Sequence, residues 1–172
     1  SRDGKKFAVP WLKIGPKGVF IVDGTSGKTL HTLNPKALSG RGEAFGQPGD
    51  WSPDGKYLAT HSKSSVVVFD EKLKKGLLWF DLSGWGIVKI AWDPNGKEIA
   101  FLHQHQGKTD TNMRLLDVAD LGKNEDASSR YKKIIQPDRS FQMKDEKGKT
   151  ISTNSNLLAW DPQGRRIAVT SN

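Results

Sequence analysis

One short phrase occurs four times along this chain, and it leaves few folds open. It reads Trp51-Ser52-Pro53-Asp54-Gly55-Lys56-Tyr57-Leu58-Ala59-Thr60 in its fullest form. It returns as Trp92-Asp93-Pro94-Asn95-Gly96-Lys97-Glu98-Ile99-Ala100, as Trp160-Asp161-Pro162-Gln163-Gly164-Arg165-Arg166-Ile167-Ala168, and at the start as Ser1-Arg2-Asp3-Gly4-Lys5-Lys6-Phe7-Ala8-Val9. Proline presets φ early in a turn, and Asp, Asn or Gln then precedes a Gly free to take positive φ. An apolar or aromatic run leads in, and an apolar run leads out. Each copy therefore predicts strand, tight turn, strand.

A second phrase keeps step with the first. Phe20-Ile21-Val22-Asp23, Val67-Val68-Phe69-Asp70 and Arg114-Leu115-Leu116-Asp117 are β-rich runs closing on Asp, and successive aspartates stand 47 residues apart. After the first come Gly24-Thr25-Ser26-Gly27-Lys28, another turn, and Thr29-Leu30-His31-Thr32-Leu33, another strand. Four strands in about 47 residues make the unit, a period typical of repeat architectures. A helical pattern from Glu71 to Leu82 is interrupted by Gly76, and its place after Asp70 suits a fourth strand better.

Together the phrases resemble those of WD-repeat and TolB-like β-propellers, in which each blade is a four-stranded antiparallel sheet. The resemblance covers nearly the whole chain. It sets the tight-turn phrase between a blade's first and second strands. It sets Val22-Asp23, Phe69-Asp70 and Leu116-Asp117 where WD repeats carry Trp-Asp, closing the third. The Gly-His that opens a WD repeat has no counterpart, Gly84-Trp85 standing in that region, and Ser64 stands near the place of the Asp between second and third strands. The His–Asp network of WD repeats is thus not expected, and a looser TolB-like propeller fits equally well.

The fold expected is all-β, a β-propeller of four-stranded antiparallel blades with about three and a half blades present. It divides into an incomplete blade over 1–33, a blade over 47–81, a blade over 86–135, a loop insertion over 136–155 and an incomplete blade over 156–172. The insertion is expected to hold its own hairpin, Ser140 to Lys144 returning through Thr150 to Thr153. Such a chain reads as part of a longer propeller, completed by further blades of the same or another chain.

Composition narrows function more than fold. There is no cysteine, which excludes disulfides, thiolate chemistry and cysteine-based zinc sites. The longest apolar runs are four or five residues, whereas a membrane-spanning helix takes about 20, and no segment reads as a signal peptide. A cytoplasmic protein is expected. The net charge of +8 would attract anionic partners if it were clustered. The lysines are instead scattered through turns with acids interleaved, the pattern of a solvated basic surface.

Chemistry-bearing motifs are few. Gly27-Lys28-Thr29 has the tail of a phosphate-binding loop, but Val22 stands where its leading Gly belongs and no helix follows. His103-x-His105 puts two imidazoles on one face of a strand, with Asp110 as a further oxygen, yet spacing fixes no third ligand. No metal and no cofactor are expected. Neither a Gly-x-Ser-x-Gly elbow nor a convergent carboxylate pair is present, so no catalytic residue is assigned.

Trp51, Trp92 and Trp160 recur at one repeat position and are expected in the packing between blades. Trp85 lies outside that register, in a between-blade loop beside Gly84 and Gly86, and is the candidate aromatic anchor. Surplus residues fall in Asn34 to Gly49, Gln104 to Asn112 and Gln136 to Ser155, connections that strand alternation sends to one face. Trp85, Arg41, Lys63, Lys132, Lys133 and Arg139 form the candidate partner-binding set. The resemblance implies a non-enzymatic scaffold joining proteins within a larger complex. The alternatives are an RNA- or ribonucleoprotein-binding propeller using basic loops, and the propeller part of a larger enzyme.

Overall fold

The computed structural model describes residues 1–10, 19–33, 47–61, 65–70, 75–81, 85–105, 111–118, 139–142, 144, 146–149 and 158–169. At some strand positions, among them Trp85, His105, 75–81 and 139–142, the description is of the backbone alone. Every regular element among these residues is a strand. Strands β1 (Lys6–Pro10), β2 (Val19–Asp23) and β3 (Thr29–Leu33) make one sheet in chain order. A four-stranded sheet follows, of β4 (Gln47–Trp51), β5 (Tyr57–His61), β6 (Ser65–Asp70) and β7 (Lys75–Asp81). The next is β8 (Trp85–Trp92), β9 (Glu98–His105), β10 (Thr111–Asp117) and β11 (Arg139–Gln142). Finally β12 (Leu158–Trp160) pairs with β13 (Ile167–Val169). All pairings are antiparallel. These sheets are blades 1 to 4, with blade 1 showing strands two to four and blade 4 strands one and two.

One boundary departs from the sequence reading. Arg139–Gln142, expected inside the 136–155 insertion, is the fourth strand of blade 3, with Met113 opposite Phe141 and Arg114 opposite Ser140. The blade expected to end at 135 thus runs to Gln142. The third strand otherwise presents a row of unpaired N–H and C=O groups, and this short segment satisfies them.

Strand alternation explains where the core sits. Blades 2 and 3 are buried on both faces, so adjacent residues of one strand enter different interfaces. Leu58, Val67 and Phe69 of blade 2 pack with Val19, Ile21 and Leu33 of blade 1. Their neighbours Ala59, Val66 and Val68 pack with Ile90, Trp92, Ile99 and Phe101 of blade 3. Ala91, Ala100, Leu102 and Leu115 of blade 3 then meet Leu158, Trp160 and Ile167 of blade 4. The hydrophobic core is therefore three slabs between blades. The recurring tryptophans lie in them: Trp92 and Trp51 are buried, and Trp160, half-buried, donates its indole N–H to the Ala91 carbonyl at 3.2 Å.

The tight-turn phrase has a local physical basis. Its glycines, Gly4, Gly55, Gly96 and Gly164, have φ of 70°, 69°, 73° and 69°, the left-handed region that only Gly enters without strain. In all four copies the first turn residue offers an oxygen to the backbone N–H five residues on. Lys6 donates to Ser1 Oγ at 3.0 Å, Tyr57 to Ser52 Oγ at 2.9 Å, and Glu98 and Arg166 to Asp93 and Asp161 Oδ1, each at 3.0 Å. Where that residue is Ser, the third is Asp and accepts the hydroxyl hydrogen, at 2.6 Å for Asp3 and 2.7 Å for Asp54. Where it is Asp, the third is Asn95 or Gln163. One carboxylate per turn is the common outcome, and a second beside it would add like-charge repulsion.

A further bond ties the two repeated phrases together. The residue after the third-strand Asp donates its N–H to the carbonyl of the turn lysine, Gly24 to Lys5 and Val118 to Lys97, each at 2.7 Å. A shift of one phrase against the other would break it. The bulge between third and fourth strands also repeats, between Ile21 and Val22 in blade 1 and between Val68 and Phe69 in blade 2.

Candidate functional site

Alternating strands give the blades two chemically different ends. At the turn end lie the connections from first to second strand and from third to fourth. At the opposite end lie those from second to third strand, 11–18, 62–64 and 106–110, and those between blades, 34–46, 82–84 and 143–157. Surplus residues at this end fall in 11–18, 34–46 and 143–157, while the longest connection, 118–138 from third to fourth strand of blade 3, leaves and returns at the turn end.

Carboxylates at the turn end are held in structural bonds. Asp23 accepts the Ser26 backbone N–H at 2.7 Å, the Ser26 hydroxyl at 2.8 Å and the Thr25 N–H at 3.1 Å, which keep its pKa below the usual carboxylate range. The Arg166 N–H, with that of Arg165, lowers Asp161 in the same way. Asp3 is lowered by the Ser1 hydroxyl and the Lys5 N–H. Acids that are fully ionised and already bonded are poor proton shuttles, and here they hold turns.

The candidate binding residues do not all belong to one end. Arg41 and Lys63 lie outside the described residues, in connections 34–46 and 62–64 at the long-connection end. Trp85 is in strand rather than in the loop expected for it: it opens β8 opposite His105, at that same end. Its flanking glycines, Gly84 and Gly86, resemble loop punctuation, but Gly86 pairs with Gln104 inside the sheet. Lys132 and Lys133 also lie outside the described residues. Their connection leaves β10 at Asp117 and returns at Arg139, which places both of its ends, and Arg139 itself, at the turn end. The set read as one face is therefore divided. Exposed Lys144, Lys147 and Lys149 lie in the 143–157 connection, around a turn at Gly148 with φ of 78°.

The histidine pair is half accounted for. His103 is fully buried in β9, on the face that turns Phe101 toward blade 2, and its ring centroid is 6.0 Å from that of Phe101. Burial, and secondarily the Arg114 charge, lowers its pKa to about 4. The side chain of His105 lies outside the description, and no group of three metal-ligating side chains occurs among the described residues.

A pH dependence follows for His103. The unfolded chain binds a proton at this imidazole near pH 6.5 and the folded chain only near 4, so stability is complete above 6.5 and declines as pH falls through that window. The expected loss from pH 7 to 5 is about 1–2 kcal/mol after solvent screening is allowed for. Urea midpoints at both pH values measure it, and His103→Gln should flatten the difference. An unchanged difference in the variant would locate the titration elsewhere.

No family model matches the sequence, and no curated protein matches it. Comparison with solved structures does find relatives in shape. Dihydro-haem d1 dehydrogenase NirN, in complex with DHE, superposes with a TM-score of 0.62 at 17% identity, over 98% of this chain and 30% of that one. The β-propeller domain of Myceliophteria thermophila Cps50 (Swd1) gives 0.62 at 17% identity, over 97% and 49%. A eukaryotic initiation factor gives 0.59 at 13% identity, over 99% and 38%. The chain has the β-propeller fold, and it spans less than half the length of these structures. Among the described residues no helix is long and apolar enough to cross a membrane.

Proposed function

We propose that this chain is a non-enzymatic propeller scaffold that binds a protein partner at the long-connection end of its blades, with Trp85, Arg41 and Lys63 as contacts. The observation that carries this reading is the contrast between the ends. At the turn end, side-chain oxygens and lysine carbonyls are consumed in holding turns. The other end gathers connections 11–18, 34–46 and 143–157 on a scaffold fixed by three interblade cores, the arrangement in which loops serve recognition, whereas the turn end has short turns apart from the 118–138 connection. The basic residues that nucleic-acid binding would use are split, Lys144, Lys147 and Lys149 being at one end and the Lys132–Lys133 connection at the other. That division favours a protein partner over a polyanion, which needs a continuous basic track.

The test is titration of a partner recovered by pull-down, with folding of each variant checked by thermal melting. Trp85→Ala should weaken binding by about 2 kcal/mol, roughly 30-fold, as loss of an aromatic anchor does. Lys56→Glu with Lys97→Glu, and Lys132→Glu with Lys133→Glu, should leave affinity within about twofold, since the first pair lies at the turn end and the connection that holds the second leaves and returns there. Equal losses from the two ends would replace this reading with diffuse electrostatic attraction.

A further inference from the structure

Four turns share one phrase, but they differ at the third turn residue, which is Asp3, Asp54, Asn95 or Gln163, each followed by Gly. Asn95-Gly96 is the one Asn-Gly pair in the sequence. An asparagine amide carbon stands one methylene from its own Cα, so attack by the next backbone nitrogen closes a five-membered ring. Gln163 would have to close a larger one. Gly96 has no Cβ to shield its nitrogen, and attack within one chain has the advantage of proximity. Base takes the Gly96 amide proton, the nitrogen bonds to Asn95 Cγ, and the Cγ–Nδ2 bond breaks. The side-chain nitrogen leaves as ammonia, and water then opens the succinimide to aspartate or isoaspartate.

The fold holds both reacting groups in other bonds. The Gly96 N–H donates to the Asp93 carbonyl at 3.1 Å. Asn95 Nδ2, the leaving group, donates across the blade interface to the Gln163 carbonyl at 3.3 Å. The turn of blade 4 covers it closely, since a Cβ on Gly164 would fall within contact distance of Asn95 Nδ2 and 3.4 Å from Asp93 Oδ2. Asn95 is otherwise exposed, so water and base reach it once the turn opens.

We propose that Asn95 is a deamidation site guarded by the turn of blade 4, and that its reaction loosens blade 4 from blade 3. Deamidation replaces the donor facing the Gln163 carbonyl with a carboxylate oxygen, which sets two acceptors against each other. It also places a second carboxylate beside Asp93, where each of the other three turns carries one, and the like charges repel. The isoaspartate product inserts an extra backbone atom before Gly96, which displaces the Gly96 N–H from Asp93. The two effects reinforce each other: opening of the contact frees the amide to react, and loss of the amide favours opening.

Ageing the 172-residue chain in mildly alkaline buffer, native and in urea, tests the guard. Trypsin cleaving after Lys89 and Lys97 isolates residues 90–97, in which Asn95 is the only asparagine. That peptide should gain the mass of a hydroxyl exchanged for an amide, roughly tenfold or more slowly from the native chain, because reaction waits on local opening. Asn95→Asp tests the consequence. The Trp160 indole proton, which bonds the Ala91 carbonyl across the same interface, should exchange with solvent severalfold faster. Asn95→Gln, which repeats the residue blade 4 has at this position, should leave that exchange unchanged and gain no mass. Circular dichroism checks folding, and should Asn95→Asp fail to fold, the aged native chain gives the same readout as its deamidated fraction grows. Equal rates in the native chain and in urea, no mass gain in urea, or wild-type exchange of Trp160 in the deamidated chain would each overturn the proposal.

Discussion

Replacing Trp92 with alanine should cost about 3–5 kcal/mol, the range for deleting a large aromatic from a packed core. The side chain is 2% exposed, stacks on Tyr57 of blade 2 with centroids 6.2 Å apart and planes at 10°, and shares a cluster with Ala59, Val66 and Val68. Removing it opens a cavity between two sheets that can collapse only by moving as bodies. Because a domain of this size is stable by about 5–15 kcal/mol, such a loss puts unfolding within reach of mild urea. Trp92→Phe should cost much less. The indole Nε1 is buried with no hydrogen-bond partner among the described residues, so losing that N–H removes a desolvated group and leaves most of the packing. Urea midpoints of the two variants measure the contrast. A loss under about 1 kcal/mol for Trp92→Ala would mean that blades 2 and 3 do not share a core.

The second large effect is expected at Gly49. A Cβ there would fall inside contact distance of the Ala59 carbonyl oxygen and of the Ile90 δ-methyl. The first is backbone within the same blade and the second belongs to blade 3, so relief for one crowds the other. Gly49→Val should therefore destabilise by about 3 kcal/mol or more, at or above the upper part of the range for overpacked cores. Gly86, whose Cβ would have only the Gln104 carbonyl oxygen at 3.8 Å, is the control. Gly86→Ala should shift stability by no more than about 0.5 kcal/mol, as an uncrowded substitution does. Equal thermal shifts from the two substitutions would contradict the close approach of blades 2 and 3 at β4.

What the sequence made legible was whatever short-range bonds enforce. The turn phrase could be read because Ser1, Ser52, Asp93 and Asp161 close their turns within five residues. The four-strand unit followed because Gly24 and Val118 lock one phrase to the other. Where a strand's partner lay far off in sequence, the strand was legible but its pairing was not. Ser140 to Lys144 read as one arm of a local hairpin with Thr150 to Thr153, whereas Arg139–Gln142 takes the edge that β10 offers. That one assignment also moved the Lys132–Lys133 connection from one blade end to the other. Trp85 was misplaced for a related reason, since β8 extends beyond the apolar run leading into the turn phrase and its first residues take strand form only against β9. For the candidate site, then, residue types were legible, but their grouping depended on long-range pairing.

The packing of successive blades through one recurring tryptophan underlies the whole account, and the indole N–H of Trp160 reports on it directly. Its donation to the Ala91 carbonyl at 3.2 Å crosses from blade 4 to blade 3, and its ring packs against the cluster holding Ala100 and Leu102. In an isotope-labelled sample, nuclear Overhauser spectra should connect the Trp160 indole proton with protons of Ala91 and its neighbours in blade 3, and that proton should exchange slowly with solvent. Contacts confined to Leu158, Ile167 and Val169 of its own hairpin, with rapid exchange, would show that blade 4 does not stack on blade 3 and would contradict the account.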